Sequence, residues 1–442
     1  MKRRLFQGLL IVALLCGAVL LAHPSAAWAV TPSQPTQDSN GVYQIGSAEE
    51  LYWFAGLVNG DTTVIGTETQ QNTAANAVLT RNIVLNTGLD QTKFAVNDDG
   101  ALTYDGSLEI SFTQWTPIGD NNNRYTGTFD GAGYEISGLY INDSTAKYIG
   151  LFGFIGTDVS TKGTVKNITL TDSYINSNSG NLNVYVGGIC GRNGTGGSIT
   201  NCSNNGSISN SNSGRIGGIC GWNRNSGISG NLSTSSITNC SNSGDVTGSY
   251  TGGICGQKDD GSITNCYWLE GTAGVGIGDD GTAIAKTAEQ YASGEVAWLL
   301  NQWSGDGVLN GKVWAMGEDG YPVLNGESDN TVVKLTFDAN TGNAADNVIR
   351  YANTGAALPS VKEPERAGYT FTGWNTKADG SGTSAPEIKL DADITLYAQW
   401  EKAVYTVTLH ANGGTVNSGN VTNYTYGTAT ALPTAQDITR TG

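Results

Sequence analysis

Histidine is almost missing from this chain: of 442 residues, His23 and His410 are the two. Once the leader described below is removed, His410 stands alone. That excludes Ser-His-Asp and Cys-His catalysis, and any zinc site that needs two imidazoles. The His-Glu-x-x-His signature of zinc peptidases does not occur. Charge is scarce as well. Asp, Glu, Lys and Arg make up 14% of the residues, against about 25% in an ordinary globular protein. The balance is acidic, with 39 Asp and Glu against 23 Lys and Arg and no basic cluster in the sequence. Nucleic acid and anionic lipid are therefore poor partners. Apart from the N-terminus, no stretch is apolar enough to cross a bilayer.

The N-terminus carries an export pattern. Lys2, Arg3 and Arg4 precede an apolar run from Leu5 to Ala22, and Ala27-Trp28-Ala29 gives the small-x-small site that a signal peptidase cuts after. His23, Pro24 and Ser25 break the helix just before that site. Residues 1–29 are expected to be removed, leaving a water-soluble, strongly acidic chain with no membrane insertion.

Gly, Ser, Thr and Asn fill the space that charge leaves. Val, Ile, Leu, Tyr and Trp recur between these turn formers, which indicates many short strands. Internal repetition is stronger still. Val186-Gly187-Gly188-Ile189-Cys190-Gly191 returns at 216–221 and at 251–256. Ser198-Ile199-Thr200-Asn201-Cys202 returns at 236–240 and 262–266, and short third strands follow around Ile208 and Val246. No single unit can bury a core. Stacked at about 4.8 Å, the central Ile and Val residues line a continuous interior. That is a three-sided parallel β-helix. Hairpins compete with this reading, but they favour longer alternating strands joined by two-residue turns. Ile189, Ile219 and Ile254 should form one inward column.

Gly150-Leu151-Phe152-Gly153 and Gly-Gly-Ile-Cys-Gly resemble the GLUG motif of bacterial secreted proteins. The series Ala48-Glu49-Glu50-Leu51, Leu79 to Ile83, Trp115 to Gly119 and Gly127 to Gly133 is similar to the segment that precedes that motif. The resemblance spans roughly 41–325 and implies a right-handed parallel β-helix on surface proteins, some of them adhesins or peptidases. It transfers no catalytic residue. Open β-helix ends need caps. Ser47 with Glu50, and Thr287 with Gln290, form candidate capping boxes. They open helices that bury Leu51, Phe54, Ala55 and Val58 at one end, and an aromatic face from Tyr291 to Trp303 at the other.

After a linker at 326–330, Val333 to Asn340 aligns with Tyr405 to Asn412. The first copy runs on through Gly368-Tyr369-Thr370-Phe371-Thr372-Gly373-Trp374 and Leu396-Tyr397-Ala398-Gln399-Trp400. These phrases resemble the Listeria–Bacteroides repeat, the B-repeat of internalin-type proteins, and imply small β-grasp-like modules used as spacers. Trp374 and Trp400 read as core. The second copy, 403–442, lacks the aromatic phrases, so either the chain is a fragment of a longer protein, the preferred reading, or this copy is decayed. The expected layout is a signal peptide at 1–29, a capped β-helix at 30–325, one repeat at 331–402 and an incomplete one at 403–442. The first repeat should fold independently of the β-helix.

Several residues invite a chemical role. Asp130 and Glu135 flank a Gly-rich turn and read as turn geometry. Asn201, Asn239 and Asn265 should hydrogen-bond along the stack. Asp259-Asp260-Gly261 and Asp279-Asp280-Gly281 lack the ligand count of a calcium loop. The six cysteines beyond the leader fall in two columns, Cys190, Cys220 and Cys255, and Cys202, Cys240 and Cys266. Three per column cannot pair completely, so stacked thiols are preferred to disulfides. No catalytic, cofactor-binding or metal-binding residue is assigned, and no cofactor is expected. The reading is a secreted or cell-surface adhesin or stalk, monomeric and not an enzyme, that binds an unidentified glycan or protein. A glycan-active β-helix lyase or hydrolase is the alternative, and a pure spacer for an absent domain is the third.

Overall fold

The structure is a computed structural model that describes residues 30–440, apart from 98–100, 158–161, 180, 182, 211–213, 226–233, 278–282, 304–313, 318, 325–330, 419 and 432–437. The leader, the Asp279 turn and the linker fall outside the described residues. The N-terminal part is a parallel β-solenoid of about six turns. Its first face is split into two four-stranded sheets. One stacks Tyr148–Ile149, Tyr185–Gly187, Arg215–Gly217 and Tyr250–Gly252, and the other stacks Phe152–Ile155, Cys190–Asn193, Cys220–Arg224 and Cys255–Asp259. The second face belongs to a 13-stranded sheet reaching from Thr36–Gln37 to Ile284–Lys286. The third stacks Tyr140–Asp143, Tyr174–Ser177, Ser207–Asn210 and Val246–Thr247. Pairing between rungs is parallel and in register: Cys190 faces Cys220, which faces Cys255, and Ile199, Ile237 and Ile263 align.

The repeated phrase makes this possible. Ile189 donates its N–H to Ile219 O, and Ile219 to Ile254 O, at 3.1 and 3.0 Å. All three side chains are fully buried, in the expected inward column. The bend just before them is so tight, within a rung and against the next, that a Cβ on Gly217 would lie 2.1 Å from Cys220 O of its own rung, and one on Gly218 2.2 Å from Gly253 O of the next. Glycine is obligatory there on space alone.

Helix α1, Ala48–Asn59, caps one end, with Leu51, Phe54, Ala55 and Val58 buried as expected. Ser47 Oγ accepts from Glu50 N, but the Glu50 carboxylate reaches past Ser47 and takes the Gly46 N–H at 2.6 Å. Helix α2, Thr62–Ile65, follows directly. At the far end the single expected helix is two, α3, Ala288–Ala292, and α4, Glu295–Asn301, broken at Gly294 with φ 90°. The Thr287–Gln290 capping box is complete.

The first C-terminal module is a four-stranded sheet in the order Val348–Asn353, Val332–Asp338, Ile394–Lys402, Tyr369–Asn375, with the central pair parallel. Its own core holds Val333, Leu335, Phe337, Ile388, Leu390 and Leu396. Among its described residues there is one 3-10 turn, Ala344–Asp346, and no α-helix, so the β-grasp expectation is not confirmed. Trp374 packs edge-on to Phe337 at 4.9 Å, and Trp400 Nε1 donates to Ala339 O at 2.9 Å.

The module is also docked on the cap. Trp298 Nε1 donates to the Asp393 carboxylate at 3.1 Å, Met316 N donates to Asn353 Oδ1 at 3.1 Å, and Val332 joins the cap's core cluster. In the second copy the segment aligned with the strand of Val332–Asp338 forms only a short strand, Val404–Thr406, and His410 lies beyond it in irregular, exposed chain.

Candidate ligand-binding faces

On the outward side of the first face, register sets rings and guanidiniums one above another. One column runs Tyr148, Tyr185, Arg215, Tyr250, and its neighbour runs Phe154, Arg192, Trp222, Gln257. Tyr148 and Tyr185 stack at 5.6 Å and 13°, and Tyr185 and Trp222 at 4.6 Å and 11°. Arg192 lies between Phe154 and Trp222, 4.4 and 4.7 Å from the ring centres. Arg124 covers Phe154 at 4.6 Å, and Arg224 covers Trp222 at 4.6 Å. Each such contact is worth roughly 0.5–2 kcal/mol, rising with desolvation. At the lower end, the Asp259 carboxylate accepts from Trp222 Nε1 at 2.9 Å and from Gln257, which in turn accepts from Arg215.

A cleft of about 710 Å³ opens on another flank, where an excursion from residue 86 to 114 leaves the solenoid. Phe94 of that excursion stacks on Tyr174 at 3.8 Å. Tyr321 and Asp319, from the hairpin of Trp314–Met316 and Pro322–Leu324, also line the cleft. Asp172 and Asp245 belong to the lining as well. Burial raises the Asp172 carboxyl above its ordinary value, and the negative charges of Asp90 and Asp319 push it further.

The residues singled out from sequence have structural partners. Asn167, Asn201, Asn239 and Asn265 all sit in the left-handed region, at φ 60°, 52°, 55° and 51°. Their amides form one ladder: Asn265 donates to Asn239 at 2.6 Å, Asn239 to Asn201 at 2.7 Å, and Asn201 to Asn167 at 3.0 Å. Asn167 then donates to Asp130 at 2.8 Å, and Lys166 pairs with the same carboxylate at 3.0 Å. Glu135 accepts from Thr171 Oγ1 on the next rung. Asp130 also accepts the Ala132 N–H of its own turn at 2.8 Å, so both carboxylates are engaged in turn and rung-to-rung bonds. The six described cysteines are free and buried. Burial pushes the Cys220, Cys240 and Cys255 thiols far up. Among the described residues, no three His, Cys, Asp or Glu side chains converge on a point that could hold a metal.

Sequence reading missed both the ring-and-guanidinium columns and the cleft. The first had a signal: Tyr185, Arg215 and Tyr250 stand four residues ahead of Ile189, Ile219 and Ile254, and Arg192, Trp222 and Gln257 stand three after. The cleft had none, because its walls come from distant segments.

Fold and surface define a repeat-rich β-helix protein carrying a separate repeat module. Comparison with known proteins agrees. The chain matches the GLUG motif over residues 183–209, and the Listeria-Bacteroides repeat domain over 334–399 and 405–442. It is 51% identical over 61 residues, 14% of its length, to a provisionally named Gly-rich membrane protein of Evansella cellulosilytica. It is 29% identical over 143 residues, 30% of its length, to halomucin of Haloquadratum walsbyi. The matched segments span 7% and 1% of those relatives. Among solved structures, a provisionally named immunoglobulin A1 protease of Bacteroides ovatus aligns at a TM-score of 0.33 and 18% identity, over 67% of this chain and 96% of that one. Among the described residues no helix is long and apolar enough to cross a membrane.

Proposed function

We propose that this chain is a secreted, cell-surface adhesin or stalk segment that holds a ligand without transforming it. The observation that carries the reading is the in-register stacking of outward aromatic and guanidinium side chains along the first face, on a scaffold whose conspicuous polar residues are used in rung-to-rung bonds. A stack that extends over several rungs suits an extended ligand better than a single small molecule. The leader pattern at residues 1–29 supports export, and the Listeria–Bacteroides module, docked through Trp298 and Asp393, supports a spacer role. The segment works as a monomer, without metal or cofactor. Beads coated with the purified chain should adhere to bacterial or host cells and be displaced by soluble chain. Beads that adhere to no surface would leave the pure-spacer reading in its place.

One observation favours a second reading, a glycan-active enzyme. Asp172 is a carboxyl with a raised pKa, in a cleft walled by Phe94, Tyr174 and Tyr321, with other carboxylates nearby. A general acid for glycoside cleavage has that character. If the chain released oligosaccharides from a polymer, and Asp172→Asn abolished the release while the fold persisted, this reading would replace the first.

A further inference from the structure

We propose that a second cleft, where the first face begins beside the N-terminal cap, binds a neutral saccharide. This rests on the adhesin reading and names its ligand class and its place.

The cleft has a volume of about 690 Å³ and lies where three segments meet. The first is the end of α1 at Asn59 with the start of α2 at Asp61, the second the loop from Gln114 to Asn122, the third the connection from Asp143 to Tyr148. Its frame is fixed by hydrogen bonds within the protein. Asn59 clamps the loop, donating to Pro117 O at 3.0 Å and accepting from Gly119 N at 2.8 Å. The loop turns on Asp120, whose carboxylate accepts from Asn122 N at 2.6 Å and from Asn123 N at 2.8 Å. Trp115 is buried, and its Nε1 donates to Leu151 O at 3.1 Å. A ligand therefore meets loops already ordered, which lowers the entropy lost on binding.

The polar groups that remain are of both kinds. Asp61 Oδ1 is occupied by the N–H of Thr63, and Asp143 Oδ1 by the N–H groups of Thr145 and Ala146. Oδ2 of each carboxylate has no hydrogen-bond partner among the described residues, and is left as an acceptor. Gln114 Oε1 accepts from Asn142 N at 3.2 Å, which leaves its Nε2 as a donor. Lys147 Nζ and the Tyr148 hydroxyl, both in the lining, make no hydrogen bond to the described residues either.

Each sugar hydroxyl both donates and accepts, so a saccharide answers both kinds of group, and its bonds to the carboxylates and the ammonium are charge-assisted. Other ligand classes fit less well. An acidic sugar faces Asp61, Asp120 and Asp143 against one ammonium, Lys147. A metal ion finds no focus, since no three carboxylates converge on one point among the described residues. An organic cation faces Lys147 and leaves the Gln114 and Tyr148 donors unmatched. Pro117 and Tyr148 add apolar surface for the C–H face of a sugar ring.

The test titrates the purified chain with maltohexaose, cellohexaose, mannohexaose and N-acetylated chitohexaose, with hexagalacturonate as the anionic control, and measures adhesion to cells in parallel. At least one neutral oligosaccharide should bind, with an affinity that changes little with salt. Asp61→Asn and Asp143→Asn each keep an oxygen for the local turn and replace the unused acceptor by a donor. Each should hold its melting temperature and lose about ten-fold in affinity. Gln114→Glu, at an exposed position, reverses the polarity of a donor and should weaken binding as well. Asp391→Asn, an exposed carboxylate of the C-terminal module, removes the same charge and should leave affinity unchanged. Hexagalacturonate binding as tightly as the neutral sugars, or neutral binding indifferent to Asp61→Asn, Asp143→Asn and Gln114→Glu, would overturn the inference. If no neutral oligosaccharide binds while the chain still adheres to cells, this inference fails and the adhesin reading survives. Loss of both defeats both.

Discussion

Asn239 is the position where the stacked-rung account can be tested most sharply by mutation. Its side chain is buried, donates to Asn201 Oδ1 at 2.7 Å and accepts from Asn265 Nδ2 at 2.6 Å, while its backbone sits at φ 55°. Asn239→Ala orphans one acceptor and one donor inside the stack, at about 1–3 kcal/mol each. It also forces a Cβ-bearing residue without a compensating local hydrogen bond into the left-handed region, at about 1 kcal/mol. The total is about 4 kcal/mol. Asn239→Gly loses the same hydrogen bonds but accepts the backbone, so it should be milder by about 1 kcal/mol. Asn265→Gly, at the half-exposed end of the ladder where water can replace a partner, should cost about 1–2 kcal/mol. Urea unfolding gives the three values, and hydrogen exchange of the amides around Thr238 and Thr264 reports the local effect, since solenoids open rung by rung. The reasoning is refuted if Ala and Gly at 239 cost the same, or if 265 is as sensitive as 239.

Other consequences are simpler to state. Ile219→Asp puts an unpaired carboxylate into a column with no exposure, and should cost about 5 kcal/mol or abolish folding; an unchanged melting temperature would place Ile219 outside the core. In the native chain from residue 30 onward the six thiols should resist a thiol reagent at pH 8, and all six should titrate in denaturant, because Cys220, Cys240 and Cys255 are buried with pKa values well above the ordinary one. Fewer than six under reducing-agent-free denaturation would indicate disulfides. Asp172 has a folded pKa above its ordinary 3.8, so it adds stability below that pH and loses it as pH rises through the folded value. Asp172→Asn should therefore be slightly more stable than the parent near pH 7, with the gain vanishing toward pH 3; a loss at pH 7 would contradict the raised value.

The parts of the fold that were readable in sequence are those where one rung copies another. Ile189, Ile219 and Ile254 recur because the interior is the same at each level, and Asn201, Asn239 and Asn265 recur because each must turn left-handed and bond its neighbour. Positions free to vary were legible only through their fixed offset from the repeated phrase. Tyr148, Tyr185, Arg215 and Tyr250 share a register but not a residue type, so a search for identity passes over them. Helix α3 stops short of α4 because Gly294 takes φ 90°, a choice a helical periodicity does not record. The cleft gathers Gln91, Asp172, Asp245 and Asp319, brought together by an excursion and a hairpin that carry no repeat. The docking of the first module on Trp298 was equally hidden. Its core is its own, but Val332 at its entry is shared with the cap.

The central claim is that the solenoid holds a surface ligand and leaves it unchanged. A glycan array probed with the purified chain, with every bound glycan then incubated with the protein and analysed by mass spectrometry, tests it most directly. The account predicts retention of one or more glycans that come back intact after prolonged incubation. Shortened or unsaturated products from any of them would contradict it.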